Sequence, residues 1–214
     1  MMRTEERRYG ETARAYAYRL IRDNIVSLDL EPGAPFNDME VSRQIGISRT
    51  PVREAVLQLS EESRIIEVFP QRGMRIALID VELVEEARFL RVLLEKAVAE
   101  LACDMAGSED IEQLRENVKL QKFYMEEGSP QKLLELDNAM HYKLFSLCRK
   151  ELTYNMCRRL AVHYDRIRSL SVNTVKDLTI IEDHRELIEA IAARDKKRAA
   201  EAMDRHLSRW RPNE

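Results

Sequence analysis

The chain has 214 residues, of which 44% are hydrophobic and 34% are charged, the composition of an ordinary globular protein. Its formal net charge of −3 excludes nucleic-acid binding through bulk positive charge, so such a function would depend on where the basic residues are placed. A charged N-terminus and the lack of any run of about 18 apolar residues argue against secretion and membrane insertion, and the 3 cysteines are expected to be reduced thiols of a cytoplasmic protein.

The first 79 residues are predicted to form three helices followed by a β-hairpin. Residues 1–10 are charged and are expected to be loose. A change from helical apolar spacing to β-branched and aromatic runs around the turn 70–73 indicates where helices give way to strands. Asn37 or Asp38 is suited to cap the second helix. The predicted elements are helices over 11–28, 39–45 and 49–60 and strands over 65–69 and 74–78.

The stretch from Gly46 to Leu59 carries the main functional signal of this part. Ser48 is suited to cap a helix, and Arg49 and Arg53 are four residues apart, so they share one helical face. A helix with Arg and Thr at its N-terminus and a buried apolar stripe is typical of the recognition helix of a helix-turn-helix protein, although a surface helix with two solvated arginines fits the same spacing. The predicted DNA contacts are Arg43, Ser48, Arg49, Thr50 and Arg53, with Arg72 and Gly73 at the hairpin tip.

Residues 80–214 are predicted to be entirely helical. Asp80 is suited to cap the first helix, and the region around Asn173 is one of the expected breaks. The predicted fold class is therefore mainly α: a winged helix-turn-helix of three helices and a β-hairpin over 1–79, then an all-α antiparallel bundle of about six helices over 80–214. The predicted bundle helices span 81–106, 108–126, 130–149, 151–171, 176–193 and 196–210.

Three of the four histidines of the second part form a pattern with one aspartate. Asp137 and His141 are four residues apart, so their side chains leave the same face of one helix. His184 precedes the turn at 194–195 by about ten residues and His206 follows it by about eleven, which brings both to one level of an antiparallel helix pair. An Asp and three His suit a divalent metal such as Zn²⁺, Ni²⁺, Mn²⁺ or Fe²⁺, whereas the same side chains could also be core histidines hydrogen-bonded to carboxylates.

Three motifs follow one another in the first part: Leu30-x-Pro32-Gly33, then Ile45-Gly46-Ile47-Ser48-Arg49-Thr50-Pro51-Val52-Arg53-Glu54-Ala55-Val56, then Pro70-x-Arg72-Gly73. Together they resemble the winged-helix domain of GntR-family transcriptional regulators. One departure is Glu62-Ser63-Arg64-Ile65, where the family usually has an acidic residue followed by Gly and an apolar pair. Residues 80–214 resemble the helical FCD effector domain of the FadR-like subfamily, so the resemblance covers essentially the whole chain.

The resemblance assigns roles to residues of the helical part. FCD domains similar to this one bind a divalent metal through an Asp-x-x-x-His pair and two later His, and Asp137, His141, His184 and His206 match that pattern, with Zn²⁺ or Ni²⁺ expected first.

Two further residues are candidates for the effector pocket. Arg91 lies in the family's Arg-x-x-Leu-Glu motif and is implied to meet an anionic effector, unless it forms a surface ion pair, for which Arg88 and Glu95 are available. His163 is an additional candidate for the pocket, unless it is a satisfied or solvent-facing histidine.

The function implied by the resemblance is that of a metabolite-responsive transcriptional regulator, expected to be a repressor associated with the nucleoid in the cytoplasm. As a homodimer it would bind a palindromic operator in double-stranded DNA and a small carboxylate effector at or near the metal, without any membrane partner. Two alternatives remain open from the residues: a metal-dependent enzyme in the helical part, or a DNA-binding regulator whose metal is structural or absent.

Overall fold

The structure is a computed structural model that describes residues 2–174 and 179–209, and its N-terminal part contains the three predicted helices. They are α1 (Ala13–Val26), α2 (Asp38–Ile45) and α3 (Arg49–Ser63). Asn37 is the cap of α2, because its side chain accepts hydrogen bonds from two backbone N–H groups of the first turn. Gly46 ends α2 in the left-handed region with φ of 69°, and the chain then turns into α3.

A small antiparallel sheet completes the N-terminal part. The predicted hairpin is formed by β2 and β3, with Ile66 opposite Ile76. A further strand, β1, pairs with β3 on the other side and gives the order β1-β3-β2. The sequence pattern does not predict β1, because two residues are too few to show strand alternation. The strands are β1 (Pro35–Phe36), β2 (Ile66–Phe69) and β3 (Gly73–Ile76).

The turn from α3 into β2 is strained at the point where the sequence departs from the family motif. α3 continues to Ser63, beyond its predicted end at Ser60, and Arg64 follows with φ of 54°. The left-handed region costs a residue with a side chain about 1–2 kcal/mol, a cost that glycine does not carry. Arg64 therefore makes this turn at some expense in stability.

The second part is a helical bundle in the predicted order. The helix predicted to end at 171 continues through Asn173 to Thr174. The predicted start of the next helix at 176 and the predicted end of the last helix at 210 fall outside the described residues. Within residues 2–174 and 179–209, every helix is too short or too polar to span a lipid bilayer. The helices are α4 (Val81–Met105), α5 (Ser108–Glu126), α6 (Pro130–Leu147), α7 (Glu151–Leu160), α8 (Val162–Thr174), α9 (Thr179–Ala192) and α10 (Lys196–Ser208).

One predicted helix, 151–171, is divided at Ala161 into α7 and α8. Val162, the first residue of α8, joins the apolar core of the winged part, whereas Ala161 and Tyr164 pack in a separate cluster with Val84 of α4. The residues around the division therefore contact both parts of the molecule.

The N-terminal segment is held against the winged part, so the prediction that residues 1–10 are loose is wrong for the described residues 2–10. Met2 is only 6% exposed and belongs to the winged core. Its carbonyl accepts a hydrogen bond from Gln44 Nε2 at 2.6 Å, and the backbone N–H of Arg3 donates to Asn24 Oδ1 at 2.6 Å. The charged composition of the segment concealed the apolar anchor and the backbone contacts that order it.

Helix α8 joins the bundle to the winged part through hydrogen bonds to the main chain. The imidazole of His163 donates through Nε2 to the carbonyl of Ser63 at 3.1 Å and accepts through Nδ1 from the backbone N–H of Asp80 at 3.0 Å. Arg166 donates through Nη2 to the carbonyl of Ala77 at 2.7 Å. These contacts fix the chain on both sides of the predicted boundary at 79/80.

Candidate metal centre and nucleic-acid interface

Four side chains from three helices of the bundle converge on one buried point. Asp137 and His141 lie one turn apart on α6, and His184 on α9 faces His206 on α10. Their exposed fractions are 3%, 1%, 0% and 1%. The Nε2 atom of His206 lies 3.1 Å from that of His141 and 3.3 Å from that of His184, and one ligand atom from each of the four residues lies within 4.8 Å of the others. The structure thus brings the four predicted ligands together.

The geometry and the donors of this cluster fit a divalent metal ion. Four ligand atoms bound tetrahedrally at about 2.0–2.1 Å are about 3.3 Å apart. Asp137 Oδ1 lies 3.3 Å from His184 Nε2 and 3.8 Å from His206 Nε2. That oxygen is buried without a hydrogen-bond partner among the described residues, as expected of an atom reserved for a ligand. One carboxylate and three imidazoles suit Zn²⁺, Ni²⁺, Mn²⁺ or Fe²⁺.

Two polar side chains behind the cluster orient its imidazoles. Gln121 Oε1 lies 2.8 Å from His184 Nδ1, and Glu95 Oε2 contacts His141 Nδ1. With Nδ1 carrying the proton toward these oxygens, Nε2 is left to face the centre, which is the arrangement that metal-ligating histidines use. Burial lowers the pKa of His184 to about 4, so its ring is neutral and able to ligate near pH 7.

Arg168 on α8 holds the second oxygen of the aspartate. Its guanidinium contacts Asp137 Oδ2 and also donates to Asp165 Oδ1 at 3.1 Å and to Asn138 Oδ1 at 3.0 Å. Burial favours the protonated form of Asp137, but the positive charge of Arg168 outweighs burial and lowers the pKa of Asp137 to about 2. The aspartate is therefore ionised, with Oδ1 directed at the centre. Sequence reasoning missed Arg168 and Gln121, which carry no local motif.

Arg91 is buried next to the cluster, and it forms the ion pair with Glu95 that the alternative expected, but in the interior and not on the surface. It is 6% exposed, its Nε donates to Glu95 Oε1 at 2.6 Å, and its guanidinium lies 5.0 Å from the ring centre of Tyr164. Its Nη1 is buried without a hydrogen-bond partner among the described residues. A buried guanidinium N–H without a partner is costly, and a ligand carboxylate would relieve that cost. Contact with an anionic effector stays a prediction.

His163 lies apart from the metal-type cluster, at the joint between the bundle and the winged part. Both of its ring nitrogens are used there, by Ser63 and Asp80. Burial, together with the charge of Arg166, lowers its pKa, consistent with a neutral ring that donates at one nitrogen and accepts at the other. The ring also lines a cleft of about 570 Å³ beside the wing. Its predicted role in an effector pocket stays a prediction.

The first turn of α3 is open to solvent and rich in hydrogen-bond donors. Ser48 occupies the cap position, but its side chain makes no capping hydrogen bond. The first backbone N–H groups of α3 are therefore available to a phosphate oxygen, as at other helix N-termini that bind anions. The side chains of Arg49 and Arg53 are 52% and 65% exposed on the same face, and Thr50 is exposed beside them.

The remaining predicted DNA contacts are also on the surface of the winged part. Arg43 is exposed in the last turn of α2. Arg72 and Gly73 are exposed at the β2–β3 turn, where Gly73 has φ of 97° and Gln71 has φ of 61°. Only glycine adopts a φ of 97° without strain, so the shape of the hairpin tip requires Gly73.

Comparison with known proteins identifies the family. Residues 13–76 match the model of bacterial regulatory proteins of the gntR family, and residues 86–209 match the FCD domain. The chain belongs to the GntR family. It is a GntR-family transcriptional regulator with a winged helix-turn-helix followed by a helical FCD domain, as the sequence predicted.

Relatives of this GntR-family chain are transcription regulators. The HTH-type transcriptional repressor RspR of Escherichia coli (strain K12) is 31% identical over 191 residues, which cover 89% of this chain and 83% of RspR. The structure of E. coli McbR/YncC matches with a TM-score of 0.81 at 19% identity, and the match covers 92% of this chain and 94% of the McbR/YncC chain. A putative GntR regulator from Rhodococcus sp. RHA1 has a TM-score of 0.73 at 19% identity, with the same coverage. The two structures confirm the fold.

Proposed function

We propose that this GntR-family regulator is a metal-linked homodimeric repressor whose affinity for a palindromic operator changes when a small carboxylate binds in the bundle. The observation that carries the proposal is the buried cluster of Asp137, His141, His184 and His206, in which one aspartate oxygen lacks a partner among the described residues. Residues 1–79 would read DNA and residues 80–214 would sense the ligand, in the cytoplasm on nucleoid DNA.

Two features of the centre favour an organic acid as the effector. Four protein ligands leave positions open on an ion that prefers six, such as Ni²⁺, Mn²⁺ or Fe²⁺, and a bound ion would supply a Lewis-acid site for a carboxylate. Arg91 adds a buried Nη1 donor without a partner among the described residues, and it is linked to the centre through Glu95 and His141. Arginine is the side chain best suited to pair with a carboxylate in such a position.

Exposed apolar rows on two neighbouring helices support the homodimer. On α4, Phe89 and Leu93 are 62% and 54% exposed, and on α7, Leu152, Met156 and Leu160 are 76%, 61% and 58% exposed. In each row the residues are four apart, so they lie along one face of the helix. Exposed apolar rows of this kind mark interaction sites, and a self-complementary patch gives the two-fold symmetry that a palindromic operator requires.

A chain of ion pairs leads from the centre to the winged part. Arg168 contacts the ligand residue Asp137 and pairs with Asp165, which is 3% exposed. The other oxygen of Asp165 lies 3.9 Å from Nη2 of Arg22, which belongs to α1 of the winged part. We infer that a ligand-induced shift of Asp137 is passed along this chain, so that the position of α1 against α8 differs between the free and bound states.

The proposed function is tested by operator affinity in matched states of the same protein. Operator DNA is selected from a random duplex library, and its Kd is measured for metal-stripped protein, for protein loaded with Zn²⁺ or Ni²⁺, and for loaded protein with each of a set of small carboxylates. We expect at least one acid to change Kd by about 5- to 150-fold, the usual range of allosteric coupling. Metal that only raises the melting temperature, with no acid changing Kd, would support the structural-metal alternative.

Arg22→Gln is expected to weaken the link between the metal centre and DNA binding. Asp165 keeps Arg158 and Arg168 as partners, so the variant should fold, but the connection to α1 is lost. Substitutions along coupling networks change the coupling by about 0.5–2 kcal/mol, so the metal-dependent change in Kd should shrink by about 2- to 30-fold. Arg14→Gln removes an exposed charge from the same helix and should leave the change intact. If the metal-dependent change in Kd is the same in both variants, the coupling does not pass through Arg22.

A further inference from the structure

A buried carboxylate lies beneath the two exposed arginines of α3. Asp38, the first residue of α2, is 2% exposed. Its Oδ2 accepts from Arg49 Nε at 2.9 Å and lies 3.6 Å from Arg53 Nε. Asn37 provides the cap of α2, so the capping role expected of either residue does not account for the position of Asp38.

The contact constrains which edge of Arg49 faces solvent. A guanidinium has two edges suited to bidentate hydrogen bonding, and the Nε edge is engaged by Asp38. The side chain is nevertheless 52% exposed, which leaves the edge with Nη1 and Nη2 for a partner outside the protein. That edge matches the O6 and N7 acceptors of guanine in the major groove.

The carboxylate of Asp38 also lowers the electrostatic attraction between this face of α3 and DNA phosphates. Two arginines without a counter-charge bind any duplex, because phosphate contacts carry no sequence information. With Asp38 between them, the local positive charge is reduced and the orientation of Arg49 is restricted before DNA arrives. Restricting a long side chain in advance also removes part of the entropy cost of binding.

We propose that Asp38 is a specificity-determining positioning residue, which orients Arg49 for base reading and suppresses binding to non-operator DNA. The inference rests on α3 being the recognition helix and does not involve the metal centre or an effector. In this proposal the buried Asp38 influences which operator is bound, because it holds Arg49 in position.

The test compares operator and scrambled duplex for the full-length wild type, Asp38→Asn, Asp38→Glu and Glu40→Gln. Glu40 is exposed in the same first turn of α2, so its substitution removes the same charge from the helix N-terminus without touching Arg49. We expect Asp38→Asn to raise affinity for the scrambled duplex, to steepen its salt dependence, and to lower the ratio of operator to scrambled affinity by about tenfold or more. Glu40→Gln should leave this ratio within about twofold of wild type, and Asp38→Glu should restore part of it.

A double-mutant cycle separates positioning from general destabilisation. In the Arg49→Ala background, Asp38→Asn should no longer lower the operator ratio, because the residue through which Asp38 acts is absent. Asp38→Ser replaces Asp38→Asn if the latter melts below the assay temperature. Parallel loss of affinity for both duplexes, or an unchanged ratio, would overturn the proposal. A wild type that does not prefer its selected duplex would instead contradict the DNA-reading function itself.

Discussion

Replacing His206 with alanine is expected to abolish retention of a divalent metal. Wild-type protein purified without chelator and without a nickel column should carry about one ion per chain, and His206→Ala close to none, because a closely spaced set of three imidazoles and one carboxylate loses a central member. His206 is 1% exposed and its Nε2 lies within 3.3 Å of the Nε2 atoms of both His141 and His184. Elemental analysis of the two preparations is the measurement.

Thermal melts provide a second test of the same prediction. A ligand present at 100 times its Kd stabilises the folded state by about 2.7 kcal/mol, which raises the melting temperature of a chain of this size by about 5–11 °C. Added Zn²⁺ should produce this shift in the wild type and not in His206→Ala. His163→Ala is the matched control, since it also removes a buried imidazole but one outside the cluster, and it should keep its metal. Retention of metal by His206→Ala would remove this residue from the proposed ligand set.

Arg49→Ala is expected to cause the largest loss of operator binding. A bidentate arginine–guanine contact is worth about 1–3 kcal/mol, and a dimer on a palindrome loses two of them, so Kd should rise by about 30-fold or more. The melting temperature should change little, because the Arg49 side chain is half-exposed and Arg53 remains 3.6 Å from the buried carboxylate of Asp38. Fluorescence anisotropy on the selected operator measures the effect.

The control for charge is a variant remote from the winged part. Arg185 on α9 has a side chain that is 69% exposed, and Arg185→Ala removes the same charge without altering α3. Its operator affinity should stay within about twofold of wild type, since isolated surface charges contribute little. If Arg49→Ala binds the operator as tightly as Arg185→Ala, α3 is not the recognition helix.

The parts of the molecule that sequence predicts well are those set by local spacing. Asp137 and His141 are related by one helical turn, and His184 and His206 by distance from a single turn, so helix geometry predicts each pair. The meeting of the two pairs in one site is what the resemblance to FCD domains implies. The residues behind them could not be found in this way. Arg168 reaches Asp137 across 31 residues and Gln121 reaches His184 across 63, and neither separation leaves a periodic trace.

The differences in fold have the same physical origin. The ordered N-terminal segment depends on Met2 entering the winged core, although the charged residues around it predict a solvated chain. The division of the helix at Ala161 is not predicted, because residues 151–171 contain no glycine or proline that would indicate a break. The sequence indicates only a capping role for Asp38, because its contact with Arg49 bridges two helices.

The hydrogen bonds at the joint bear on how proteins of this architecture diversify. His163 and Arg166 donate to the main-chain carbonyls of Ser63 and Ala77, groups that every amino acid supplies. These hydrogen bonds therefore place little constraint on the side chains of the winged part, and substitutions along the exposed face of α3 can change the preferred operator while the donors keep their acceptors. The same sensor domain could in this way serve different operators through surface substitutions, provided that the packing of Val162 in the winged core and the pair of Arg22 and Asp165 are preserved.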